Sequence, residues 1–209
     1  MRAQALRPYG FCNYNEIISG EIFMVVLLSN LSLQEFLQLS ETKPASEYIN
    51  QNIYQKPMPQ GKHSRVQTRL SSGINQIGEV EKKALALTEL RCTFGGRSVV
   101  PDIAVFEWSR IILDEDGEIA NKFEIYPDWV IEILSPDQFP NRVIDKIIFC
   151  INQGTKLGWF IDSNDKSVMI FEPNKLPEIK YNDDKLPVLK ILADWQITPA
   201  DIFSWLKIK

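Results

Sequence analysis

The chain has 209 residues, of which 44% are hydrophobic and 24% charged, the make-up of one ordinary globular domain with a sizeable core. Its three cysteines, Cys12, Cys92 and Cys150, show no C-x-x-C spacing and His63 is the single histidine, which argues against a disulfide framework and an imidazole zinc site and for a reducing cytoplasm. The net charge of −4 argues against a nucleic-acid partner until its distribution is read. Residues 43–101 carry nine basic and four acidic side chains, between two segments in which acids outnumber bases, so a basic face could lead into an acidic pocket.

Residues 1–30 read as an N-terminal extension ahead of a single domain over residues 31–209. The apolar run Ile22–Leu28 has seven residues, far short of the ~20 that a membrane helix needs. Glu16 and Glu21 interrupt what Arg2 and Arg7 would begin as a signal peptide. No membrane segment is expected, and Met24 is an alternative start.

Ser32 caps a short helix from Leu33 to Leu39, with Glu35 completing a capping box. Residues 47–56 alternate as a hairpin around Asn50-Gln51, and Lys56 to Gly61 is a loop. From His63, the spacing of Val66, Leu70, Ile74 and Ile77 predicts a helix of roughly four turns. Ala84 to Phe94 reads as one strand, broken at Gly95-Gly96, with Val99 to Phe106 as its hairpin partner. Asp114 to Gly117 is an exposed acidic loop. Trp129 to Leu134 is a near-continuous apolar strand of the kind found mid-sheet, ended by Ser135-Pro136. A helix from Val143 to Asn152 closes at Gly154. Strands follow at Leu157–Asp162 and Val168–Phe171, and Thr198 caps a last helix, Pro199 to Leu206. Trp159 and Phe160 belong to the core; Trp195 and Trp205 either join it or form a homodimer contact. The pattern is α/β (α+β): a mixed sheet flanked by helices in one domain.

Two carboxylates stand out because an apolar strand covered on both faces rarely tolerates an unpaired charge. Asp102 follows Pro101 at the mouth of Ile103-Ala104-Val105-Phe106, and Glu132 lies inside Trp129–Leu134. Lys146 follows on the next helix. Two acids and the Ile133 backbone carbonyl suit Mg²⁺ or Mn²⁺, and with a lysine beside them the expected chemistry is metal-assisted phosphodiester cleavage. Lys146 can equally be a solvated helix residue; as a cation that acts on the transition state, its replacement in Lys146→Met is expected to leave folding, metal affinity and DNA affinity within about threefold of wild type. Glu47 can be an exposed hairpin residue and His63 a mere helix start.

Pro101-Asp102 followed by Glu132-Ile133-Leu134-Ser135-Pro136 resembles the core of the PD-(D/E)XK nuclease superfamily, with its restriction endonuclease-like fold. More closely, the order Glu47, His63, Pro101-Asp102, Glu132 to Pro136, Lys146, Gly154 and Gly158-Trp159-Phe160-Ile161-Asp162 resembles the Uma-two family of putative restriction endonucleases, over roughly residues 32–209. The superfamily places a lysine two residues after the second acid, where this chain has Leu134; in the Uma-two group a lysine on the following helix stands in for it, and Lys146 has that position. Cys150 replaces the family's tyrosine and Arg142 an aspartate often found before the lysine.

The resemblance implies a divalent-metal-dependent endonuclease hydrolysing DNA. Asp102, Glu132 and Lys146 would be catalytic, and Asp102, Glu132 and the Ile133 carbonyl would hold Mg²⁺ or Mn²⁺. Glu47 and His63 would be additional site residues. The alternative is an inactive nucleic-acid- or protein-binding module on the same fold. A third reading is an interaction protein whose buried acids pair with Arg91 or Arg97.

Overall fold

The computed structural model describes residues 31–136 and 138–208, so the expectations for Ile22–Leu28 and Met24 lie outside it. Helix α1 (Leu33–Phe36) carries the expected capping box of Ser32 and Glu35. It leads to a hairpin of β1 (Ser46–Ile49) and β2 (Asn52–Gln55). Asn50 and Gln51 turn the hairpin with φ of 51° and 63°, the left-handed pair that a tight two-residue connection requires. Helix α2 (Gly61–Gly78) buries His63, Val66, Leu70 and Ile74 on one stripe, as the three- and four-residue spacing dictates.

The expected long hairpin after α2 is a correction. The segment 84–94 divides into β3 (Ala84–Thr88) and β4 (Cys92–Phe94), and its partner divides into β5 (Arg97–Val99) and β6 (Ile103–Glu107). The antiparallel pairing holds, β3 with β6 and β4 with β5, but the two halves belong to different sheets. Glu89 takes a left-handed φ of 52° at one break, and Pro101, which has no N–H for a ladder bond, stands at the other. Both strands therefore leave one sheet and enter the next beside Asp102.

Strand β7 (Trp129–Ile133) is central, with β6 antiparallel on one side and β8 (Leu157–Asp162) parallel on the other. Strands β9 (Ser167–Phe171) and β10 (Glu178–Tyr181) extend the sheet to the order β10-β9-β8-β7-β6-β3; β10, mostly exposed, lacks the apolar run that marks a strand in sequence. The smaller sheet runs β2-β1-β5-β4. Helix α3 (Pro140–Gln153) begins three residues earlier than expected, at a proline suited to a first turn, and ends at Gly154 with φ of 119°. The expected C-terminal helix is shorter, α4 (Pro199–Ser204), with Thr198 and Asp201 capping it reciprocally.

Alternation along β7 separates the two faces. Trp129, Ile131 and Ile133 pack with Val66, Leu70 and Ile74 of α2 and with the C-terminal segment. Val130 packs with Val143, Ile147 and Cys150 of α3, so Glu132, two residues on from Val130, looks toward α3. Helix α3 approaches the sheet closely at Gly158 of β8, where a β-carbon would overlap the Ile147 side chain. Trp195 packs over Trp129 with ring centroids 6.4 Å apart, and Trp205 lies under the Arg69 guanidinium. Cys92 and Cys150 are buried and unbridged.

Candidate active site

The acids meet because of strand register. β6 and β7 pair Ile103 with Ile131 and Ala104 with Val130; one step further sets Asp102 opposite Glu132, and two steps set Pro101 opposite Ile133. Proline cannot donate, so no ladder bond from Pro101 reaches the Ile133 carbonyl. The Ile133 N–H is instead taken by Asp102, donating to Oδ2 at 2.7 Å. Asp102 is 1% exposed and Glu132 fully buried.

Asp102 is densely held. Lys56 Nζ donates to Oδ1 at 2.8 Å, and the His63 Nε2 lies 3.0 Å from Oδ2. Burial by itself would raise its pKa, but Lys56 and His63 outweigh that and keep the carboxyl far below the usual range. Lys56 Nζ also donates to Glu89 Oε2 and the Val100 carbonyl. Gln67, one turn along α2 from His63, ties the Asp102 carbonyl to Glu89.

Glu132 is different. Lys146 Nζ is 2.9 Å from its Oε2, yet neither carboxylate oxygen receives a directed hydrogen bond among the described residues. The same ammonium donates to Glu47 Oε1 at 2.9 Å, and Glu47 Oε1 also accepts from the Val100 N–H at 2.7 Å. Glu132 therefore shares one cation with Glu47 and faces Asp102 across the strand pair. Burial pushes its pKa up, to about 8; Lys146 pulls against this and the charge on Asp102 adds to it. The surrounding acids, Glu132 first, overcome the burial of Lys146 and hold its ammonium well above the usual range.

The structure thus brings together Asp102, Glu132, Lys146, Glu47 and His63, with the Ile133 carbonyl beside them. Lys146 is a correction to the solvated-helix reading: it is 3% exposed. Glu47 and His63 are likewise buried. The pairing of buried acids with Arg91 or Arg97 is also corrected, since Arg91 bonds Glu41 and Arg97 bonds Asp145. Sequence reasoning missed Lys56, Gln67 and Glu89. For Lys56 the hairpin held the signal: Glu47 pairs with Tyr54, and Lys56, two residues on, falls on the same face as Tyr54.

A hard divalent cation fits this donor set. Glu132 offers Oε1, which has no partner among the described residues, and Oε2, which faces the Lys146 ammonium; the Ile133 carbonyl lacks a donor from Pro101, and Asp102 has used three of roughly four acceptor positions. Among the described residues no three His, Cys, Asp or Glu side chains are grouped to hold an ion, so such an ion would keep several waters. Two clefts open on the cluster. One, of about 420 Å³, has Glu47 and Lys146 in its lining, and the other, of about 340 Å³, has His63, Glu89 and Asp102. No described helix is long and apolar enough to cross a membrane.

The family model described as "Uma2: Putative restriction endonuclease" matches residues 33–200. Among solved structures, the chain is similar to a putative nuclease belonging to DUF820 from Anabaena variabilis ATCC 29413, at 49% identity and a TM-score of 0.83, over 85% of this chain and 99% of that one. No curated protein matches. The paired acids on adjacent strands, the helix-borne lysine and a match that runs from α1 into α4 agree, and the chain belongs to the Uma2 family of putative restriction endonucleases.

Proposed function

We propose that the chain is a Mg²⁺- or Mn²⁺-dependent endonuclease that hydrolyses DNA phosphodiester bonds. The observation that carries the reading is Glu132: a fully buried carboxylate, opposite a second one, with both oxygens lacking a directed donor. Its one cation among the described residues, Lys146, is shared with Glu47, and a second cation at the free oxygen would offset what burial still costs. Asp102, Glu132 and the Ile133 carbonyl would hold the ion, which when bound would polarise a phosphoryl oxygen and acidify an attacking water.

The chain's own groups would do the rest. Lys146, held charged between Glu47 and Glu132, would orient a water and counter negative charge growing on phosphorus. Lys56 and His63 fix Asp102 in its ionised form. Along α2, Lys62, Arg65 and Arg69 recur at three- and four-residue spacing on its exposed face, with no carboxylate partner among the described residues, and would contact phosphates leading away from the site.

One observation favours a second reading, an inactive nucleic-acid- or protein-binding module. Lys56 and Lys146 already neutralise much of the acidic charge, and Asp102 is almost fully bonded. The experiment is a titration of the purified protein with Mg²⁺ and Mn²⁺, following melting temperature and cleavage of duplex and single-stranded DNA. The nuclease reading expects a metal-dependent rise in melting temperature and metal-dependent cleavage, both absent in Asp102→Asn and Glu132→Gln. A wild type that binds DNA but never cuts it with either ion would install the binding module instead.

A further inference from the structure

We infer that the cleft over Lys146 is a subsite for one unpaired nucleobase of the substrate strand. The inference rests on the nuclease reading only for the identity of the strand; its geometry is separate from the acids. Phe139 carries it. This side chain is 67% exposed at the N-cap of α3, where it makes no side-chain capping bond. An N-cap is normally Ser, Thr, Asp or Asn. A large exposed aromatic there costs apolar exposure and supplies no capping bond.

What it does provide is a platform. The Arg142 guanidinium lies 5.2 Å from the Phe139 ring and 5.0 Å from the Tyr54 ring, bridging α3 and the β1–β2 hairpin across the mouth of the 420 Å³ cleft. Arg142 is exposed and has no carboxylate partner among the described residues. Arginine and two aromatic faces are the groups on which unpaired bases stack. Asn50 and Asn141 line the same cleft and hold no side-chain partner among the described residues, leaving amide donors and acceptors for a base edge. In the first turn of α3, Pro140 has no N–H and the Arg142 N–H bonds the Phe139 carbonyl, so the Asn141 N–H is the backbone donor left there for an adjacent phosphate. A base stacked here would place its phosphate toward the cleft wall formed by Glu47 and Lys146. A fully paired duplex presents no free base face, so the cleft favours single strands or a locally opened duplex.

The test is binding in EDTA, where no cleavage occurs, by anisotropy of labelled oligonucleotides. The probes are a single strand, the same strand with abasic sites throughout, a paired duplex, and a duplex with one bulged base. Wild type should bind the single strand about tenfold more tightly than the abasic strand, the scale of one stacked base, and the bulged duplex more tightly than the paired one. Phe139→Ala and Arg142→Met should erase both differences while leaving abasic-strand binding within about twofold for Phe139→Ala, which removes no charge. Because Phe139 is exposed, that variant should fold, which its melting curve checks.

Equal binding of the normal and abasic strands by wild type, or a base preference that survives Phe139→Ala, overturns the subsite and leaves a surface that reads charge alone, as an acidic protein partner would also exploit. Cleavage in Mg²⁺ is measured separately. Base preference without any cleavage would sink the nuclease reading and keep the subsite; cleavage without base preference would sink the subsite alone.

Discussion

Replacing Glu132 with glutamine should make the metal-free protein more stable, by an amount that grows with pH. The carboxyl is ordinarily half-ionised at 4.5, and burial holds it near 8 in the fold. Between those values the folded state binds the proton that the unfolded chain releases, so stability falls as pH rises across the window. Below pH 4.5 both states are protonated and the effect vanishes; above about 8 it is complete, and the fold has lost on the order of 5 kcal/mol relative to a neutral side chain of the same shape. Glutamine is that side chain, and its oxygen can still face Lys146. For a chain of this size each kcal/mol moves the melting temperature by roughly 2–4 °C, so a gap on the order of 10 °C is expected at pH 9 and almost none at pH 4.5. Thermal melts of both proteins in EDTA across that range decide it. A gap that stays constant with pH, or a glutamine variant that falls progressively behind wild type as pH rises, would refute the electrostatic account of the site.

Lys146→Met should not be the structurally silent change that a surface lysine would allow: it strands Glu47 and Glu132 without their shared cation and should cost about 3–5 kcal/mol in chemical denaturation. Glu132→Gln should stabilise the Lys146→Met chain more than it stabilises wild type, and an equal gain in both backgrounds would show that the two residues are not coupled. In metal-dependent cleavage, Lys146→Met should still lose about 10²-fold or more under conditions where it is folded. Reversing Lys62, Arg65 and Arg69 together should weaken DNA binding far more than reversing Lys180, Lys185 and Lys190, and should flatten its salt dependence; equal effects would remove the exposed face of α2 from the nucleic-acid path.

The strand-borne acids were legible because apolar surroundings make a charge conspicuous. Glu132 sits between Ile131 and Ile133, and the register that sets Asp102 opposite it follows once β6 and β7 are known to pair. The hairpin at Asn50-Gln51, the buried stripe of α2 and the Gly154 stop were legible for the same local reasons. The split of residues 84–94 between two sheets was not, since it depends on where a second sheet packs, although Pro101 marks the place. Lys146 and Lys56 were the hardest. A lysine in sequence reads as solvent-exposed, and only the tertiary fold supplies the acids that draw each ammonium inward. Lys56 is one of the nine basic residues of the 43–101 segment, and the structure moves it from that surface to the centre of the cluster.

Gly158 sets how far into the protein α3 can sink. Ile147 rests where a β-carbon would otherwise stand, and its neighbour on the helix, Lys146, spans the remaining gap to Glu132 at 2.9 Å. A lysine carried on the strand itself needs no such clearance, because the sheet fixes its height. A lysine carried on a covering helix does, and the strand beneath must be thinned to let it reach. Gly158→Ala would therefore act as a spacer: it would replace no ionisable group, yet it would lift the Lys146 ammonium toward water-mediated contact with Glu132. The absence of one side chain on β8 is thus a condition for housing the lysine on α3, and the glycine belongs with the site although it touches no acid.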